Sequence, residues 1–95
     1  MTTRSESSGA VAVVGVGNST QDYLGIVDRL PELDSGATLT DFSACGGGVV
    51  ATALVAAARL GCPCEYVGAV GDDSDGRAIV DGLEAEGVGV RHVLR

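Results

Sequence analysis

Ninety-five residues carry thirteen acidic side chains against six basic ones, a net charge of −7, and that balance repels phosphate backbones and disfavours a nucleic-acid partner. The length allows one domain with a limited core, and a composition that is 45% apolar and 3% aromatic with 15 glycines fits a tightly packed α/β layer rather than a disordered chain or a disulfide-stapled domain. All six basic residues are Arg; without Lys, a Walker A phosphate loop and a Schiff base are both excluded within the chain.

Residues 1–9 (MTTRSESSG) are polar, with no apolar run behind them long enough for a signal peptide or a membrane span, and read as a disordered tail. The domain then occupies residues 10–95. Ala10 to Val16 (AVAVVGV) is a short continuous apolar run that predicts a central strand buried on both faces. Tyr23 to Val27 and Ala37 to Ser43 flank Pro31 and Gly36 and predict two short, half-exposed strands paired as a flap over about 23–43. Val49 to Leu60 is Ala-rich and apolar nearly all round, which predicts a buried helix stopped by Gly61. Glu65 to Val70 predicts a second strand, and the order strand, long connection, helix, strand makes a parallel, right-handed βαβ crossover. Gly71 to Gly76 reads as a turn with helix N-capping, followed by a helix from Arg77 to Glu86 whose Ile79, Val80 and Leu83 face inward. Gly87 ends that helix, and Val88 to Leu94 predicts a third strand.

Four features carry candidate chemistry. Gly15-Val16-Gly17 resembles the start of a dinucleotide-binding fingerprint, but Thr20 stands where the third glycine belongs. Asp22 lies just beyond the carboxyl end of the first strand, where open α/β sheets place their ligand crevice. A carboxylate there accepts hydrogen bonds from two neighbouring hydroxyls, as a sugar would offer; the alternative is an Asp that caps a turn. Gly46-Gly47-Gly48 before a buried helix lets backbone approach a ligand and presents helix-start N–H groups to it, or serves as a bare hinge. Thr52 places a hydroxyl on the same rim, one turn into the helix. The three cysteines, Cys45, Cys62 and Cys64, lack the second half of a zinc site and read as reduced, mostly buried thiols of a cytosolic protein. The acidic segment from Gly71 to Gly76 has too few ligands for an EF-hand, so no metal site is assigned.

In order, these pieces resemble the N-terminal part of the ribokinase-like (PfkB) carbohydrate kinase family. The first strand ends in Gly17 with Asp22 five positions on. "VDRLPELDSGATL" resembles the family's lid strands, Gly47-Gly48 through Arg59-Leu60-Gly61 its Gly-Gly signature, and "EYVGAVGDDSDGRAIVDGLEAEGV" its strand–GDD–helix–GV block. The resemblance covers roughly Val11 to Arg95. It implies a partial three-layer α/β/α fold of parallel βαβ units with a small β lid. It also implies ATP and Mg2+ as cofactors of the full-length enzyme, a cytoplasmic location, a small-molecule sugar or sugar derivative as partner, and a homodimer through the lid. On it, Asp22 holds sugar hydroxyls, Gly47 and Gly48 line the sugar site at the lid hinge, and Thr52 faces the substrate.

Two departures matter. The commonest family pattern has Asn at the position of Thr52, and the "GGGxxAT" form here looks more like the sulfofructose-kinase-like branch. The family's catalytic Asp, anion hole and ATP pocket have no match in the chain. The expectation is therefore the substrate-binding and lid portion of a sugar kinase, with no catalytic or cofactor-binding residue of its own and no activity alone. A dinucleotide-binding fragment of an oxidoreductase and a non-catalytic module that dimerises through its flap are the alternatives.

Overall fold

The computed structural model describes residues 10–95, so the expected N-terminal tail lies outside the described residues. The elements in chain order are β1 (Val13–Val16), β2 (Thr20–Val27), β3 (Leu39–Gly47), α1 (Val49–Arg59), β4 (Cys64–Val67) and α2 (Ser74–Ala85). β1 and β4 pair in parallel, Val13 opposite Cys64 through Val16 opposite Val67. β2 and β3 form a separate antiparallel hairpin, from Thr20 opposite Gly47 to Val27 opposite Leu39, with a register shift at Ile26/Val27.

α1 is the crossover between β1 and β4. Its apolar side seats on the sheet because the sheet has no side chain at the contact: a Cβ on Gly15 would strike the Val50 and Leu54 side chains. The core gathers there, with Ala51 and Leu54 of α1 against Cys64 and Tyr66 of β4, Leu83 of α2 and Val88. Burial pushes the Cys64 thiol pKa up. Both helices end alike, with an N–H two residues beyond the cap bonded back to the third-last helical residue: Cys62 N to the Ala57 carbonyl at 3.0 Å, Val88 N to that of Leu83 at 3.0 Å. Gly61 and Gly87 supply the positive φ that this ending needs.

Several expectations change. β1 is not buried on both faces: Val14 is 57% and Val16 71% exposed. Alternation along the strand turns these two away from α1, and β1 has a strand neighbour on one side only. No helix follows Gly17. The chain enters β2 three residues later, which removes the dinucleotide-binding alternative, since that fingerprint needs a helix start on the last glycine. The flap strands are longer than expected, because Gly46 and Gly47 continue the ladder opposite Gln21 and Thr20. α2 begins at Ser74 rather than Arg77, since the Asp73 carboxylate accepts from the Gly76 N–H at 2.8 Å and starts the helix early. The third strand reduces to two bridges, Gly89 to Glu65 and Leu94 to Ala69. Of the three free thiols only Cys64 is buried; Cys45 sits exposed on the uncovered hairpin.

Candidate functional site

The candidate residues meet where the hairpin joins the α/β body. β3 ends at Gly47, α1 begins at Val49, and Gly48 alone separates them. Gly48 has φ 99 and ψ 143, a conformation that L side chains rarely adopt. A Cβ here would also lie 2.7 Å from Ser19 Cα and 2.9 Å from the Asn18 carbonyl oxygen. The glycine is therefore demanded twice, by dihedral and by close backbone packing. Its carbonyl accepts from the Thr52 N–H at 2.9 Å, and the Asn18 carbonyl accepts from the Ala51 N–H at 3.3 Å, so the chain leaving β1 caps the first turn of α1.

Asp22 stands inside β2, opposite Cys45, and not in a turn. Its Oδ1 accepts a hydrogen bond from the Thr20 hydroxyl at 2.7 Å. Its other oxygen hangs over Gly47, so that a Cβ on Gly47 would collide with it. Gly46 has open space on its side-chain position and no positive φ. The three consecutive glycines thus differ: Gly47 makes room for a carboxylate, Gly48 makes the corner, and Gly46 answers to neither demand.

A cavity of about 330 Å³ opens beside this junction, between the foot of the hairpin, α1 and α2. Thr20, Gly46 and Gly47 line it from the hairpin, Thr52 and Val55 from α1, and Ile79 from α2. Arg59 and Glu86 reach its far end, where the guanidinium donates twice to the carboxylate, Nε to Oε1 at 2.8 Å and Nη2 to Oε2 at 2.6 Å. The hydrogen bonds from Arg59 hold the Glu86 carboxyl below the usual carboxylate range. The structure therefore brings Gly47 and Thr52 to one cavity and places Asp22 beside Gly47. The Asp22 carboxylate is turned onto Thr20 and Gly47 and does not line the cavity wall.

Two residues of this region were not singled out from the sequence. Thr20 both lines the cavity and holds Asp22; the available signal was a hydroxyl two positions before Asp22, hence on the same strand face. Tyr66 is 0% exposed. Its hydroxyl donates to the Gly17 carbonyl at 2.7 Å and accepts from the Ser19 hydroxyl at 3.1 Å. That pairing satisfies a buried phenol and pins the loop from β1 to β2 from below. No pattern in the strand distinguishes this Tyr from an ordinary core aromatic. Higher on the hairpin, Tyr23 stacks on Phe42 with ring centroids 6.2 Å apart. Its hydroxyl donates to Asp75 in the first turn of α2, which raises the Tyr23 pKa.

A parallel βαβ unit carrying an antiparallel hairpin, hinged where a glycine-flanked carboxylate sits, is the architecture of a ribokinase-like fold. The profile of the pfkB family carbohydrate kinases matches residues 11–95, and the chain belongs to that family. It is 40% identical over 73 residues to the ribokinase of Bacillus subtilis (strain 168), covering 77% of this chain and 25% of that one. It is 36% identical over 83 residues to the ATP-dependent ribose-1-phosphate kinase of Halopiger xanaduensis, covering 87% of this chain and 28% of that one. The structure of Arabidopsis thaliana ribokinase complexed with ribose and ATP superposes with a TM-score of 0.78 at 28% identity, over 90% of this chain and 28% of that one. The chain spans about a quarter of the length of the curated relatives it matches.

Proposed function

We propose that this chain is the substrate-binding and lid portion of an ATP-dependent sugar kinase. The observation that carries the reading is the Asp22 carboxylate, fixed through one oxygen by Thr20 and held over Gly47 at the foot of the hairpin. A carboxylate with free acceptor sites on a half-buried strand receives hydrogen bonds from two vicinal hydroxyls, and Gly47, by lacking a side chain, lets that carboxylate lie at the foot of the hairpin. The hairpin projects beyond this point as a cover, and excluding water strengthens the polar contacts inside. Phosphoryl transfer depends on positioning and electrostatics around the transferred group. ATP supplies that group, and the residues of this chain bind and orient the acceptor. Among the described residues no three His, Cys, Asp or Glu side chains gather to hold a metal ion.

The two curated relatives, named for ribose and ribose 1-phosphate, weigh toward a ribose-based acceptor. Thr52 puts a shorter hydroxyl where the commonest family pattern has an amide, and the resemblance of the "GGGxxAT" form to the sulfofructose-kinase-like branch weighs toward a sulfofructose-like one. The test uses the full-length kinase containing this chain with ATP and a panel of D-ribose, ribose 1-phosphate, D-fructose and sulfofructose. Asp22→Ala is expected to lower kcat/KM for the accepted sugar by at least about a hundred-fold while ATP binding persists. Unchanged kcat/KM, or no phosphorylation of any sugar by the wild type, refutes the reading. The enzyme is placed in the cytoplasm, a location with which three free cysteines accord. Among the described residues no helix is long and apolar enough to cross a membrane.

One observation favours a further property of the lid. Tyr23, Leu24, Ile26, Leu39 and Phe42 are each at least half exposed on the hairpin. Apolar strands left open in this way pair with another copy or aggregate, so we propose self-association through the lid. Sedimentation of the full-length protein checks it: a Leu24→Lys, Ile26→Lys double variant converts a dimer to a monomer, and a monomeric wild type refutes it.

A further inference from the structure

We propose that Thr20 is a positioning residue for sugar recognition: its hydroxyl engages one oxygen of Asp22 and thereby aims the other at the acceptor sugar. The inference rests on the reading of Asp22 as the sugar-binding carboxylate.

Thr20 and Asp22 are two residues apart on β2 and share a face of the strand. The 2.7 Å hydrogen bond from Thr20 Oγ1 reaches Asp22 Oδ1, while the side-chain position of Gly47 lies against Oδ2. The two oxygens thus have different surroundings. Oδ1 has a donor in place, and Oδ2 sits in the space that a side chain at residue 47 would fill, with no protein donor of its own. An Asp side chain left to itself exchanges among staggered rotamers. A β-branched Thr is stiff at χ1, so its hydroxyl selects one Asp22 orientation before any sugar arrives.

Thr20 is itself held on two sides. Its backbone pairs with Gly47 across the ladder. The preceding Ser19 donates to the hydroxyl of the fully buried Tyr66. Thr20 also lines the cavity that Thr52 lines, and so connects that cavity wall to Asp22, which does not line it. Holding a ligand group in its bound geometry beforehand raises affinity without adding a contact.

The test uses the full-length kinase with ATP and the sugar of the panel above that it phosphorylates best. Thr20→Val removes the hydroxyl and keeps the shape; Thr20→Ser keeps the hydroxyl. Expected is a rise in sugar KM of about ten-fold for Thr20→Val, with KM for ATP unchanged, melting temperature lowered by no more than about 2–4 °C, and near wild-type behaviour for Thr20→Ser. If Thr20→Val does not fold, Thr20→Ala takes its place under the same comparison. An unchanged sugar KM in the hydroxyl-free variant, an equal rise in KM for ATP, or equal impairment of Thr20→Ser overturns the proposal. Asp22→Ala separates the two claims. Loss of sugar binding there beside a wild-type Thr20→Val sinks the positioning role alone; wild-type behaviour of Asp22→Ala removes the reading of the site and the positioning role with it.

Discussion

Replacing Gly46, Gly47 and Gly48 one at a time by Ala separates three physical demands that the sequence runs together. At Gly48 the backbone has φ 99, which costs an L residue about 1–3 kcal/mol. The added Cβ meets Ser19 Cα at 2.7 Å and the Asn18 oxygen at 2.9 Å. Both are backbone atoms, so relief requires moving the chain, at about 1–3 kcal/mol more. Gly48→Ala should therefore destabilise by about 2–6 kcal/mol, the sum of those ranges. At Gly47 the obstacles are the Asp22 carboxylate and, at 2.9 Å, the Thr20 hydroxyl, both side-chain groups that can swing away. The loss is then one hydrogen bond, about 1 kcal/mol, with a large loss of sugar affinity because the carboxylate no longer points as it did. At Gly46 nothing lies within 4 Å, and Ala should be neutral or stabilise by about 0.5 kcal/mol through a less flexible unfolded chain. Urea unfolding of the full-length protein with isothermal titration of sugar measures both quantities. If Gly48→Ala proves as mild as Gly46→Ala, or Gly47→Ala leaves sugar affinity intact, the reasoning fails.

The Arg59–Glu86 pair makes a pH prediction. Because the folded Glu86 carboxyl titrates below its ordinary value, its contribution is complete above the ordinary Glu range and is lost as pH falls through the depressed value. Glu86→Gln should flatten the acid limb of the stability profile, and added salt should flatten it in the wild type, since Arg59 is exposed. A salt-independent acid limb that survives the substitution contradicts this. Tyr66→Phe leaves the ring in place and removes the hydroxyl between Ser19 and the Gly17 carbonyl. It should cost about 1–3 kcal/mol by urea unfolding, and a loss below about 0.5 kcal/mol contradicts the pinning of the β1–β2 loop.

The parts of the fold that follow local rules were readable before the structure. The Ala-rich run from Val49 and the glycines after each helix act within a few residues of each other, whereas the sequence places N-capping within Gly71 to Gly76 without picking out Asp73, and α2 starts three residues early. Elements that depend on distant partners were misjudged. Gly46 and Gly47 are poor strand formers by propensity, yet cross-strand pairing with Gln21 and Thr20 carries the ladder through them. The apolar run of β1 promised burial, but burial of a strand is a property of what lies beside it. Asp22, Gly47, Gly48 and Thr52 were named from the sequence as candidates, and their assignment to a sugar site is a proposal. What the sequence withheld was orientation: Asp22 turns toward Thr20 and Gly47, and Thr52 faces the cavity between the helices.

The single residue between β3 and α1 has a mechanical consequence. The hairpin meets the body at two neighbouring points, through Gly48 into α1 and through Gly17–Ser19 into β1, so that any swing turns on one end of the arm, its fulcrum. The far end of β2 at Val27 lies eight ladder steps out, about 26 Å from the fulcrum at about 3.3 Å per residue, whereas Asp22 lies three steps out, about 10 Å. A 15° swing of the hairpin, taken as roughly rigid, carries its tip about 7 Å and Asp22 under 3 Å. On the proposed reading of the hairpin as a lid, such a swing would move the cover widely while leaving the carboxylate close to its station, so that grip and cover would be graded along one arm.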